Sequence, residues 1–280
     1  MGFISTEKIN YDLFIKNYTP ESSYILGLLW ADGYINKKTN SINVECVKED
    51  IDIFYPIFQK TGNFNLYYRN RINRKPQGII NCSSINLSQF LKKNDYSDKS
   101  QLSPNKILSS IPEELKHYFF RGWVDGDGCF YYNKKLHLME FIMSGAYNQD
   151  WSSLFILCNQ LNINYKISNI ITKKGHKHSR FLIKKKMDIV KFGNFIYQEN
   201  TFGLKRKYDK FLPIKENLEN EIKKRILCYD KNNQLIKEFD SLISSSLWLN
   251  KGRNVSGDIN DCIRKRQKTA FGYKWEMIKN

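Results

Sequence analysis

The feature that most constrains this chain is written twice. Residues 24–33 read Tyr-Ile-Leu-Gly-Leu-Leu-Trp-Ala-Asp-Gly, and residues 119–128 read Phe-Phe-Arg-Gly-Trp-Val-Asp-Gly-Asp-Gly. Aligned on their last two residues, the segments lie 95 positions apart. Each is an apolar helical run that ends in a carboxylate followed by glycine. Gly33 and Gly128 suit the left-handed conformation past a helix end. Asp32 and Asp127 are harder to account for, because a negative charge at a helix C-terminus opposes the macrodipole by about 0.3–1 kcal/mol. Two such placements call for a compensating cation. Each run also carries small residues one turn apart, Gly27 with Ala31 and Gly122 with Gly126. An interior glycine costs about 1 kcal/mol relative to alanine, and small residues at this spacing let two backbones approach closely. Helices packed along those faces would bring Asp32 and Asp127 side by side. Paired carboxylates there suit a hard divalent cation, Mg²⁺ or Mn²⁺.

The stretches that follow each run also match in outline. After Gly33, strands are predicted at residues 34–36 and 41–47, a helix at 50–60, strands at 64–68 and 78–82, and a helix at 85–92. After Gly128 the order recurs: strands near 130–132 and 137–143, a helix at 150–161, strands near 165–171 and 180–183, and a helix at 187–197. The expected class is α+β, a duplicated αββαββα unit with antiparallel sheets. Residues 96–112 read as a linker and residues 213–224 as a second break. The expected divisions are 1–104, 105–215 and 221–280.

The chain of 280 residues carries 45 Lys plus Arg against 28 Asp plus Glu, a formal charge of +17. Scarce alanine and abundant Lys, Asn and Ile fit an AT-rich genome, so part of that charge is compositional. Its distribution says more: net +3 over residues 1–149, +8 over 150–220 and +6 over 221–280. Surfaces toward the C-terminus are therefore expected to face phosphate. No apolar run reaches the roughly 20 residues that span a bilayer, and no secretory signal is visible at the N-terminus. No two of the six cysteines are closer than 29 residues, which argues against a zinc site or disulfide framework and for an intracellular protein with reduced thiols.

The two segments resemble the LAGLIDADG motif of homing endonucleases in its two-motif, monomeric form, and the resemblance covers about residues 20–212. It implies that the motif helices form the interface between the halves and that the sheets make a saddle over double-stranded DNA with a long asymmetric target. It implies that Asp32 and Asp127 hold Mg²⁺ or Mn²⁺, with the backbone carbonyls of Ala31 and Gly126 as further ligands. It also implies a lysine near the site from each half, for which Lys184, Lys186 and Lys99 are the candidates. The first motif departs from the pattern with Trp30 where the second has Asp125. Two other functions use the same scaffold, a non-catalytic intron maturase that binds RNA and a DNA-binding regulator. A mobile element of a phage, virus, organelle or bacterium is the expected source.

Candidate DNA contacts follow the predicted hairpin tips: Lys37, Lys38, Arg69, Arg71, Arg74, Lys134, Lys135, Lys173 and Lys174. Lys205, Arg206 and Lys207 add a basic run in a segment resembling the family's closing stretch. His176 and His178 form an HxH pattern that reads as a turn or a DNA-contacting loop rather than a metal site. From residue 225 a hairpin, a Ser241-capped helix, a turn and a helix over 256–266 suggest helix-turn-helix DNA binding. The segment resembles the NUMOD1-type module appended to homing endonucleases, and Arg253, Asn254, Arg264, Lys265 and Arg266 are its candidate contacts.

Overall fold

The computed structural model describes residues 9–70, 75–136, 138–198, 202–222, 224–251 and 254–279. Arg71, Arg74 and Arg253 lie outside the described residues. The fold is α+β. The first half runs α1 (Pro20–Asp32), β1 (Gly33–Ile35), β2 (Ser41–Val47), α2 (Lys48–Gln59), β3 (Asn65–Arg69), β4 (Gln77–Ser83) and α3 (Ile85–Lys93). A short helix, α4 (Asn105–Ser110), leads into the second half. That half repeats the order: α5 (Lys116–Asp127), β5 (Gly128–Asn133), β6 (Leu138–Ala146), α6 (Ser152–Gln160), β7 (Lys166–Ile171), β8 (Lys177–Ile183) and α7 (Lys186–Ile196). The two sheets share one topology, β1-β2-β4-β3 and β5-β6-β8-β7, antiparallel throughout. The pairing Gly33–Val44 recurs as Gly128–Met143.

Both motif helices are buried on every side, α1 over Ser22–Trp30 and α5 over His117–Asp125. A helix apolar all round belongs inside a core, and each of these is covered by the other. A Cβ added to Gly27 would lie 1.9 Å from the carbonyl oxygen of Phe119, and one on Gly122 would lie 2.1 Å from that of Tyr24. These helices therefore meet backbone to backbone. Ala31 completes the seam against Gly126, where an added Cβ would come within 2.2 Å of the alanine methyl. The start of α1 is fixed locally by Pro20 in its first turn and a reciprocal Thr19–Ser22 capping box.

Two expectations need correction. Gly33 and Gly128 are extended, with φ of −78° and −89°, so no left-handed turn requires them. The requirement is steric, since a Cβ would strike Leu29 Cα at 2.8 Å in one case and Val124 Cα at 3.0 Å in the other. Each chain leaves its helix directly into the first strand of its sheet, folded tightly over the last turn. The stretch read as a linker is packed structure: Tyr96, Ile107, Leu108 and Ile111 are buried in it. Helix α8 (Lys205–Ile222) runs through Pro213 into the expected break at 213–224, and the division between two compact units falls there, after Ile214.

Residues 1–214 and 215–280 form two compact units. The second unit contains β9 (Lys224–Tyr229), β10 (Leu235–Phe239), α9 (Leu242–Leu249), α10 (Ser256–Ile263) and β11 (Lys274–Lys279). Its sheet has the order β10-β9-β11. Its core gathers Cys228, Phe239, Ile259, Cys262 and Trp275. Ser241 caps α9 with Ser244 in a capping box. Helix α10 ends at Ile263, so Arg264, Lys265 and Arg266 lie beyond it, with Lys265 at a φ of 59°. Among the described residues no helix is long and apolar enough to cross a membrane, and all six cysteines are free thiols.

Candidate active site at the paired helix ends

Helices α1 and α5 end together, which places Asp32 and Asp127 as neighbours whose charges act on each other. Burial raises the Asp127 carboxyl to about 6, and the charge of Asp32 adds to the rise. The Trp123 side chain donates a hydrogen bond to Asp127 and opposes the shift in part. Asp32 is the more exposed of the two. Its carboxyl is also raised, by the desolvation that surrounding protein imposes, while Lys207 and Lys99 pull it down.

The compensating cations are these two lysines. Lys99 Nζ donates to the carbonyls of Leu29, Trp30 and Ala31 at 3.1, 2.9 and 2.7 Å. Lys207 Nζ donates to those of Val124, Gly126 and Gly128 at 2.8, 3.1 and 2.9 Å. An ammonium has three donors, so each lysine spends all of them on one helix end. This satisfies carbonyls that a helix terminus leaves orphaned. It also sets a positive charge at the negative end of the dipole, which makes the terminal aspartates tolerable. Burial lowers Lys99 to about 8 against the pull of Asp127 and Asp32, and it lowers Lys207 in the same sense. A cavity of about 200 Å³ opens beside the pair, lined by Trp30, Ala31, Lys99, Trp123, Asp127 and Ser144.

The segment carrying each lysine is tied to the opposite half. Beyond Lys99, the chain at Gln101 accepts the Asp150 amide, and Ser103 Oγ accepts that of Ser153. Next to Lys207, Arg206 donates to both carboxylate oxygens of Asp50, at 2.9 Å for the Nε contact. Asp50 raises Asp32 by its charge, so its pairing with Arg206 holds down the negative potential at the site.

The other candidate residues have different surroundings. Lys184 pairs with Glu140, and neither Lys184 nor Lys186 is among the charges that act on Asp32 or Asp127. Lys207, read as a DNA contact, is instead buried at the foot of α5, and Arg206 is engaged with Asp50. Lys205 pairs with Asp209, and Arg69 pairs with Glu45. Lys37, Lys38, Lys134, Lys135, Lys173 and Lys174 stand exposed at hairpin connections. His176 and His178 sit at the β7–β8 hairpin, and no cluster of three or more metal-ligating side chains occurs among the described residues. In the second unit Asn254 Oδ1 accepts the Ser256 amide just ahead of α10, and Arg266 pairs with Asp261. Sequence reasoning missed the role of Lys207, although a signal existed. Leu204, Lys207, Phe211 and Ile214 are spaced as one buried helical stripe, and a lysine on such a stripe needs a partner.

No family model matches the chain, and no curated protein does. Solved structures do match. The LAGLIDADG homing endonuclease I-LtrWI bound to target DNA is 16% identical over 72% of this chain and 92% of its own, with a TM-score of 0.48. I-SmaMI bound to cleaved DNA is 16% identical over 71% of this chain and 88% of its own, at 0.44. A variant of I-DmoI, in complex with its target DNA in the presence of Mg, is 17% identical over 64% of this chain and 97% of its own, at 0.43. At these identities and scores the matches carry no argument about chemistry.

Proposed function

We propose that this chain is a site-specific double-strand DNA endonuclease of the LAGLIDADG homing type, hydrolysing phosphodiesters with divalent cations. The observation that carries the proposal is the pair of aspartates at duplicated helix ends, forced together by glycine contacts and each backed by a fixed lysine. Such a pair is costly, and ionised carboxylates that repel each other are relieved by a cation between them. Mg²⁺ commonly binds through one or two carboxylates, waters and substrate phosphates rather than a full protein cage. That fits a site with two acids and no larger cluster. Asp32 and Asp127 would hold the ions. The Ala31 and Gly126 carbonyls each accept a lysine and keep a second lone pair. The bound cation supplies Lewis-acid polarisation of the phosphate and a lowered pKa for an attacking water. Lys99 and Lys207 fix the helix ends and so the spacing of the carboxylates, and Arg206 neutralises Asp50.

In the proposed monomer the two halves, residues 1–104 and 105–215, would each face one half-site of duplex DNA, with the exposed basic hairpin tips toward phosphate. Residues 221–280 are proposed as a NUMOD1-like DNA-binding module, whose basic residues Arg264, Lys265 and Arg266 are presented on the loop after α10. An intracellular setting and a mobile-element origin go with this function. The test is incubation of a randomised duplex library with the protein and Mg²⁺. Recovery of one or a few cut sequences, lost with a chelator, is expected. Absence of any cut sequence together with tight binding of intron RNA would overturn the proposal in favour of a maturase.

A further inference from the structure

The outer faces of the two sheets are aligned by register but differ in chemistry, and Arg180 marks the difference. In β8 the residues Ser179, Phe181 and Ile183 are fully buried toward the core. Alternation places Arg180 on the opposite face. There it is paired across the strands with Ser144 of β6 and Ser168 of β7. Its Nε is buried and has no hydrogen-bond partner. No ion pair or hydrogen bond of its side chain to any described residue is found either. Buried polar groups are normally satisfied, and one that is not calls for an explanation. A guanidinium is the side chain least able to escape the problem by losing its charge. Its strand neighbour Ser144 lines the cavity that holds Asp127 and Lys99, so Arg180 lies one strand away from the paired helix ends. The basic residues at the hairpin tips are exposed and solvated, whereas Arg180 sits in mid-sheet, flanked by small hydroxyl side chains that leave it room.

The matching position in the first sheet is Ile79, paired with Glu45 and Tyr67. The first sheet instead carries a row of polar side chains one same-face step farther from the motif: Tyr34, Asn43, Asn81 and Asn65, in register across all four strands. Asn43 donates to the Ser41 carbonyl at 3.0 Å and accepts from Asn81 Nδ2 at 2.6 Å. Asn81 is thereby held in place with one N–H and its Oδ1 unspent. The same row in the second sheet is Cys129, Ile142, Leu182 and Lys166.

Resting on the endonuclease proposal, we infer that the two sheets read different bases: Arg180 reads a guanine in one half-site, and Asn81 reads an adenine in the other. The chemistry matches the major-groove edges. A guanidinium pairs with guanine O6 and N7, and an amide donor–acceptor pair matches adenine N7 and N6. The target is therefore asymmetric in base chemistry close to the cut, because the halves duplicate the scaffold but not the reading residues.

The experiment profiles cleavage of every single-base variant of the selected target by the wild type, Arg180→Ala, Arg180→Gln and Asn81→Ala. Thermal unfolding of each protein is measured alongside. Arg180→Ala is expected to lose on the order of 10- to 100-fold at the guanine-bearing target and to become indifferent to the base at that one position. Arg180→Gln is expected to shift preference there toward adenine, while Asn81→Ala relaxes one position in the other half-site. A uniform loss over all sequences, with a shallower salt dependence, would make Arg180 a phosphate contact and overturn the inference. So would unchanged base preference in variants that fold and cut. If the wild type cuts no sequence at all, the endonuclease proposal itself fails, an outcome distinct from both.

Discussion

The ends of α1 and α5 meet the same electrostatic demand with different neighbours. Both finish in an aspartate, and both are capped by a lysine ammonium that gives three hydrogen bonds to terminal carbonyls. The lysines arrive by different routes. At the end of α1, Trp30 packs edge-on against Tyr96 with ring centroids 6.0 Å apart, and the Tyr96 hydroxyl donates to the Leu29 carbonyl at 2.7 Å. That contact carries the chain three residues on to Lys99. At the end of α5, Trp30 is replaced by Asp125, which is buried and accepts from Tyr24 Oη at 2.7 Å, the Leu204 amide at 2.9 Å and Arg121 Nε at 3.2 Å. Its grip on Leu204 starts α8 and so delivers Lys207. One half uses an aromatic contact and the other a buried ion pair, so the duplication conserves the placement of a cation rather than the residues that place it.

The largest expected effect lies where the halves are most alike. Gly27→Ala or Gly122→Ala sets a methyl within about 2 Å of a backbone oxygen, and the helices cannot close. Loss of cooperative folding is expected in circular dichroism melts, at a cost of about 3 kcal/mol or more. A stable, cooperative Gly27→Ala protein would show that the seam is looser than described.

Next comes the asymmetry itself. Arg121→Ala leaves Asp125 charged and buried, and breaking such a pair costs about 3–5 kcal/mol. Trp30→Ala in the other half removes packing but strands no charge. A second change, Asp125→Asn, removes the stranded charge and should recover part of the Arg121→Ala loss in urea denaturation. No recovery in the double variant would contradict the comparison.

A smaller effect has the opposite sign. Asp127 titrates near 6 in the folded protein, above about 3.9 for a free aspartate. Its ionised form is thus disfavoured by folding, and stability falls as pH rises from about 4 to about 6. Asp127→Asn should therefore stabilise the metal-free protein by about 1–3 kcal/mol at neutral pH, read as a higher melting temperature. Added Mg²⁺ should narrow the gap by stabilising the wild type only.

The smallest expected effect is on the pH profile of cleavage. At Mg²⁺ too dilute to saturate the site, activity should rise through about pH 6 as Asp127 ionises and decline above about 8 as Lys99 loses its charge. Arginine stays charged throughout, so Lys99→Arg should flatten the alkaline decline at a lower overall rate. An unchanged decline would place its origin elsewhere.

Much of this architecture was legible in the chain. The strand and helix order followed from alternation and helical spacing, with β2 placed at 41–47 as observed. The glycine seam followed from the small residues one turn apart, Gly27 with Ala31 and Gly122 with Gly126. The charges at the helix ends demanded a compensating cation, read from the sequence as a divalent metal. Lys99 entered through the family resemblance as a lysine near the site, whereas Lys207 was hidden in the run Lys205-Arg206-Lys207, which reads as a set of DNA contacts. A local run shows that charges are close in sequence. Only the phase of α8 shows that Lys207 turns inward while Lys205 faces out. The glycines after the motifs were assigned for the wrong reason, because steric closure over a helix end depends on where the next strand goes. Arg180 carried no local signal at all, since its lack of a partner is a property of the folded sheet.

The central claim is that two carboxylates at paired helix ends act together in cutting DNA. Its most direct test is cleavage of the selected duplex in Mg²⁺ by the wild type, Asp32→Asn and Asp127→Asn, with binding measured on the same DNA. The account predicts that the wild type cuts both strands and that each variant loses double-strand cleavage by at least about 100-fold, as expected when a group acting on the transition state is removed, while still binding. Double-strand cutting at the wild-type rate by both variants would contradict it.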